Sequence, residues 1–193
     1  AISAKEENAF LVHFSTDYVF DGNKGKLYSE KDITNPINEY GKSKLLGENA
    51  IKNILDKYLI FRLSWVYGNG KQNFIYKFNE WLSKNNVLNI TEDEYSIPSS
   101  TNLIVNAVQK ALQKNIFGLY HLVANSYCSR YEWANEIVKI RKMDIKLNPV
   151  SIKTFNLPAQ RPYNSAMSNE LLSNLIGPIP TWQEDLKDFL LKN

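Results

Sequence analysis

The sequence predicts an α/β fold in which helices flank a parallel sheet, and three observations predict it. Two short runs, Phe10-Leu11-Val12-His13-Phe14 and Leu59-Ile60-Phe61-Arg62-Leu63, are almost continuously apolar, as strands buried on both faces are. Between them, from about Ile37 to about Leu55, apolar residues recur at helical spacing; strand, helix and strand make a βαβ unit whose right-handed crossover is the default. The rest of the 193 residues alternates in the same way, with 44% apolar and 22% charged residues, enough for a core and too little charge for disorder.

Taken in order, the first strand is Phe10 to Phe14. The helix that follows has Pro36 just ahead of it and an apolar side formed by Leu46, Ala50, Ile51, Ile54 and Leu55. The second strand covers Leu59 to Leu63. Asn73 to Lys84 is amphipathic through Phe74, Ile75, Phe78 and Leu82. Ile104, Ala107, Val108 and Ala111 repeat at three and four residues after the cap candidates Ser99 to Thr101. Leu119 to Val123 reads as another short strand. Ser129-Arg130-Tyr131-Glu132 has the spacing of a capping box and opens a helix, and Thr181-Trp182-Gln183-Glu184 does the same for the last one.

Composition excludes several classes. Twenty-three Lys plus Arg stand against 20 Asp plus Glu, and the +3 excess is scattered, so no nucleic-acid footprint is indicated. No apolar stretch approaches the ~18 residues a membrane helix needs, no secretory signal opens the chain, and Cys128 is the only cysteine, which fits a reducing cytosol. Two histidines, His13 and His121, with that lone thiol do not make a metal site, and His121 reads as a satisfied core histidine. Asn89-Ile90-Thr91 matches a glycosylation acceptor, which a cytoplasmic chain does not use. A doubly wound nucleotide-binding sheet normally starts with a strand and a glycine-rich turn. Gly68-Asn69-Gly70 begins like that fingerprint, but Asn73 stands at the third glycine position. The chain opens at Ala1 in the middle of the pattern and is expected to be the rear part of a longer protein.

Two segments carry chemistry. Ser15-Thr16-Asp17-Tyr18-Val19-Phe20-Asp21-Gly22 directly follows a buried strand, so its hydroxyls and carboxylate face the crevice where open α/β sheets bind ligands, or else simply form a polar turn. Tyr40 and Lys44 lie four apart on one helix and share a face. An ammonium beside a phenol favours the phenolate, which makes the phenol a better proton donor to an oxygen gaining charge.

A hydroxyl after one strand followed by Tyr-x-x-x-Lys on the next helix resembles the Ser/Thr–Tyr–Lys arrangement of the short-chain dehydrogenases/reductases. Within them the chain is similar to the extended branch of the dTDP-4-dehydrorhamnose reductases. The likeness runs through His13-Phe14-Ser15-Thr16-Asp17-Tyr18-Val19-Phe20-Asp21-Gly22, Asn35-Pro36, Tyr40-Gly41-Lys42-Ser43-Lys44, Gly47-Glu48, Phe61-Arg62-Leu63-Ser64-Trp65-Val66-Tyr67-Gly68, Ile97-Pro98-Ser99, Gly118-Leu119-Tyr120-His121-Leu122 and Ala159-Gln160-Arg161-Pro162. It covers nearly the whole chain with the motifs in order. The family's Gly-x-x-Gly-x-x-Gly turn is absent from these residues, so little cofactor binding is expected of them alone.

The resemblance implies a Rossmann-like doubly wound parallel sheet, of which only the rear part is here, with a smaller α/β substrate-binding lobe. Residues 1–66 would belong to the NAD(P)-binding domain and 67–193 mainly to the lobe, with about 86–115 returning to the sheet. It implies reduction of the 4-keto group of dTDP-4-dehydro-rhamnose by NADPH or NADH. Thr16 would polarise the carbonyl oxygen, Tyr40 would protonate it, and Lys44 would hold the nicotinamide ribose, with Ser15 also at the cofactor. Asp17, Tyr18, Trp65 and Arg161 would contact the substrate: Asp17 at sugar hydroxyls or else capping the turn, Trp65 stacked on the deoxyhexose or else part of the core, Arg161 at the diphosphate or else in a structural ion pair. Related dehydratases carry Asp-Glu after the Thr, and Tyr18 in place of that Glu favours plain reduction. The implied partner is a nucleotide sugar, with no nucleic acid and no membrane, in the cytoplasm, and a homodimer is allowed. The alternatives are a reductase of another nucleotide sugar and a non-catalytic NADP-binding subunit resembling the regulatory subunit of methionine adenosyltransferase, whose motif has Asn where this chain has Asp17.

Overall fold

The computed structural model describes residues 1–192. The elements are α1 (Ile2–Glu6), β1 (Leu11–Thr16), α2 (Glu39–Ile54), β2 (Tyr58–Leu63), β3 (Val66–Tyr67), α3 (Phe74–Leu82), β4 (Val87–Thr91), β5 (Tyr95–Ser96), β6 (Ser99–Ser100), α4 (Thr101–Gln113), β7 (Gly118–His121), β8 (Cys128–Ser129), α5 (Arg130–Arg141), β9 (Lys146–Val150), α6 (Glu170–Ile176) and α7 (Trp182–Lys192). The main sheet is parallel in the order β1-β2-β7, with Ser15 opposite Arg62 and Arg62 opposite His121. The α/β class and the βαβ unit through α2 are as expected.

Local chemistry starts the helices. Asn38 caps α2 by accepting from the Gly41 amide, Asn73 caps α3 through the Tyr76 amide, and Ser100 caps α4 through the Leu103 amide. The Ser129 hydroxyl and the Glu132 carboxylate each accept from the other's amide, completing the predicted capping box of α5. Thr181 and Glu184 exchange the same pair of bonds ahead of α7.

The main core is held by fully buried Phe20, Leu59, Phe61, Phe78, Leu122, Trp133 and Leu172 between the sheet and the helices of the second half. The apolar side predicted for α2 needs correction. Leu46 is 69% exposed and Ala50 is exposed, while Gly41, Glu48 and Ile51 are buried. The middle of the buried stripe is a carboxylate, which an apolar count does not find. The strand after α4 is Gly118–His121, starting one residue earlier and ending two residues earlier than expected, with His121 at its end. Two further parallel pairs, β3 with β6 and β4 with β9, and the helices α1 and α6 were not anticipated.

Candidate functional site

β1 and β2 are parallel, so Thr16 and Leu63, which are paired, bring both strands to an end on the same side of the sheet. A cavity of about 340 Å³ opens there, and Thr16, Tyr40, Lys44 and Trp65 all line it, together with Ser15 and Asp17. The hydroxyl, phenol and ammonium that the sequence set on two separate elements therefore share one space. α2 reaches it through a close approach at Gly41, where a Cβ would lie only 2.1 Å from the Tyr18 carbonyl oxygen.

The Thr16 and Ser15 hydroxyls already have partners. Thr16 Oγ1 donates to Asp17 Oδ1 at 3.0 Å and accepts from the Tyr18 amide at 3.2 Å. Asp17 is buried, and its Oδ2 accepts from Ser64 (3.1 Å), Ser96 (2.9 Å) and Ser165 (2.5 Å). Burial raises the pKa of this carboxyl, against the pull of the four hydroxyl donors. With three donors on one oxygen and Thr16 on the other, Asp17 anchors the loop from within, a placement other than the sugar contact read from the sequence. Ser15 is likewise turned inward and donates to Glu48 Oε1 at 2.5 Å, although it lines the cavity. The Lys44 side chain makes no hydrogen bond or ion pair among the described residues, which leaves its ammonium available to a ligand. Tyr40 is 55% exposed at the opening.

A larger cavity of about 550 Å³ adjoins the first. The rings of Tyr18, which lines the larger space, and Tyr40, which lines the smaller, meet edge to face at 5.9 Å. On the other side the Arg130 guanidinium lies 3.8 Å over the Trp65 ring, and Trp65 stacks on Trp133 at 5.7 Å. Trp65, which lines the smaller space, and Arg130, which lines the larger, thus form a wall between them, backed by buried Trp133, and Trp65 is both packed and lining. It sits at φ 36°, a left-handed conformation unusual for a bulky side chain and typical of residues held in place at functional sites. Arg161 lines the larger cavity with its Nη1 3.5 Å from Glu94 Oε1, and Arg130 reaches the same oxygen at 3.3 Å. Burial raises the pKa of the Tyr18 phenol well above the ordinary tyrosine range, with the nearby Asp17 charge adding to the shift, so this ring stays neutral.

The sequence reading missed Arg130, Glu94, Lys77 and the serine set around Asp17. Arg130 was noticed only as part of a cap. Glu48 was missed as well, and for it alone a signal was available: Arg62, a charged residue inside an apolar parallel strand, requires a buried partner. Among the described residues no three His, Cys, Asp or Glu side chains gather to hold a metal, and no helix is long and apolar enough to cross a membrane.

Fold and cavity together define a Rossmann-like α/β protein with a cavity at the ends of parallel strands. The chain belongs to the family described as RmlD substrate binding domain, which it matches over residues 1–193. It is 36% identical over 202 residues to the dTDP-4-dehydrorhamnose reductase of Escherichia coli (strain K12), covering 98% of this chain and 68% of that protein. Among solved structures, a dTDP-4-dehydrorhamnose reductase from Clostridium acetobutylicum superposes with a TM-score of 0.93 at 34% identity, covering 99% of this chain and 69% of that one. The enzyme of the same name from Bacillus anthracis, in complex with NADP, superposes with a TM-score of 0.95 at 30% identity, covering 100% and 69%. The chain thus spans about two thirds of the length of these relatives.

Proposed function

We propose that the protein reduces the 4-keto group of dTDP-4-dehydro-rhamnose with NAD(P)H to give dTDP-rhamnose. The observation that carries the reading is the meeting of Thr16, Tyr40, Lys44 and Trp65 in one cavity at the strand ends. The likeness to reductases of that name, one of them holding NADP, supplies the substrate and the cofactor class.

NAD(P)H, when bound, supplies the hydride. Lys44, free of protein partners, and Tyr40 would hold the nicotinamide ribose, and the ammonium on the cavity wall suits ribose hydroxyls. No glycine-rich phosphate turn lies within these 193 residues, so they account for the nicotinamide end of that site. Thr16 Oγ1 turns its proton from Asp17 to the ketone oxygen, a rotation about one bond that leaves Asp17 three serine donors. Tyr40 gives its phenolic proton to the same oxygen as charge develops there, and Lys44 stabilises the phenolate that remains. Exposed Tyr40 then regains a proton from water. The neutral Tyr18 phenol packs beside Tyr40 and supplies no second acid, which fits a reaction needing one proton and one hydride.

The larger cavity supports a nucleotide diphosphate as the handle of the substrate. Its wall carries three cations, Lys77, Arg130 and Arg161, against one carboxylate, Glu94, while Phe74, Trp81 and Phe155 offer faces for a base. Residues 1–66 would serve the cofactor and residues 67–193 mainly the substrate, in the cytoplasm where both are at hand. The test is NADPH oxidation by the full-length protein on dTDP-4-dehydro-rhamnose. Stoichiometric loss of NADPH with formation of dTDP-rhamnose is expected, and no consumption of either reactant would refute the reading.

A further inference from the structure

Glu48 takes no part in the chemistry above, yet it is completely buried and lies on the catalytic helix. Tyr40, Lys44 and Glu48 follow one another at intervals of four, one per turn, along a single stripe of α2. The stripe descends from the exposed phenol at the cavity to a carboxylate inside the protein. There Oε1 accepts from Ser15 Oγ at 2.5 Å and from Arg62 Nε at 2.9 Å, and Oε2 accepts from Arg62 Nη2 at 2.7 Å. Ser15 is the neighbour of Thr16 on β1, and Arg62 is its registered partner on β2.

The network continues beyond the guanidinium. Arg62 Nη1 lies 3.4 Å from His121 Nε2 on β7, and the His121 Nδ1 lies 3.2 Å from the Ser168 carbonyl oxygen. Burial, reinforced by the Arg62 charge, pulls the pKa of His121 down to about 3, so the ring is neutral. The partners then assign the proton to Nδ1, which donates to Ser168, and leave Nε2 to accept from Arg62. One directional chain of bonds therefore ties α2 to all three strands of the main sheet. Apolar contact resists separation but is non-directional and leaves a helix free to slide or roll. A bidentate guanidinium–carboxylate pair with a serine donor fixes both movements.

We propose that Glu48, held by Arg62 and Ser15, is a positioning residue for the ketone reduction: it sets the register of α2 on the sheet so that Tyr40 and Lys44 face Thr16 across the cavity. The proposal rests on the catalytic reading given above. A shift of about 1 Å in such groups is enough to lower turnover about 100-fold, so loss of the anchor is expected to act on kcat. The nucleotide handle is bound by residues of the neighbouring cavity and is unaffected.

The test uses Glu48→Gln and the double variant Glu48→Leu/Arg62→Met in the full-length protein. The double variant removes both charges, so no lone buried ion compromises folding. In both, kcat is expected to fall at least about tenfold while KM for the nucleotide sugar stays within about threefold. Amide exchange in α2 is expected to quicken about tenfold with β4 and β9 unchanged. Parental kcat in a folded double variant overturns the proposal, whether or not exchange in α2 changes. A parent protein that reduces no keto sugar overturns the catalytic reading instead. Exchange then decides the anchoring by itself: faster exchange confined to α2 upholds it, and unchanged exchange refutes it.

Discussion

Replacing Gly41 with alanine is expected to remove most of the activity from a protein that still folds. The added Cβ would lie 2.1 Å from the Tyr18 carbonyl oxygen, 2.9 Å from its carbon and 3.0 Å from Pro36 Cβ. Carbon–oxygen contacts settle at about 3.3 Å or more, so the helix and the Tyr18 carbonyl must separate by about 1.2 Å at that point. The carbonyl belongs to the turn after Thr16, and the neighbouring residue on the helix is Tyr40, so the added gap opens between the proton donor and the threonine. A misplacement of that size corresponds to a loss of about 100-fold in turnover. Overpacking costs about 1–3 kcal/mol of stability, and the better helix propensity of alanine returns up to ~1 kcal/mol. NADPH oxidation at saturating keto sugar, paired with a thermal melt, separates the two effects. A folded Gly41→Ala protein with parental kcat would refute the view that this contact sets the distance between Tyr40 and Thr16.

Other expectations concern single groups. Tyr40→Phe should leave KM nearly unchanged and lower kcat by about 10²–10⁴-fold, read by steady-state kinetics, because only the proton donor is lost. Lys44→Ala should raise the Kd for NADPH, measured by calorimetry on the full-length protein, as well as lower the rate. His121 has a folded pKa near 3, below its unfolded value of about 6.5, so the unfolded chain binds the extra proton between those values. Stability from this group is complete above pH ~6.5 and is lost as pH falls, by up to about 2 kcal/mol between pH 6.5 and 5. Urea titrations of the parent and His121→Gln at several pH values should show a shallower acid limb in the variant.

Much of the fold was legible because it is written locally. The continuous apolar run of β2, the caps at Ser100 and Ser129 and the spacing of α4 are each complete within about a dozen residues. β4 was missed because Asn89 interrupts a run of only five residues, and β9 because it is weakly apolar and carries Pro149, which argues against a strand until its partner is known. The same division runs through the site. Tyr40 and Lys44 are one helical turn apart, and Thr16 ends the strand before them, so three local features sufficed. Asp17 takes its donors from Ser96 and Ser165, 79 and 148 residues away, and no spacing rule connects such positions. Glu48 stood in plain view one turn after Lys44, but its partner Arg62 lies on another strand and only the fold joins them.

The central step is delivery of a hydride and a proton to one ketone at the Thr16–Tyr40–Lys44 cavity. Reduction of dTDP-4-dehydro-rhamnose with NADPH carrying deuterium at the transferred position tests this most directly. One deuterium is expected at C4 of the product sugar with the parent protein, and almost no product in the same time with Tyr40→Phe. Product labelled elsewhere, or equal labelling by the two proteins, would contradict it.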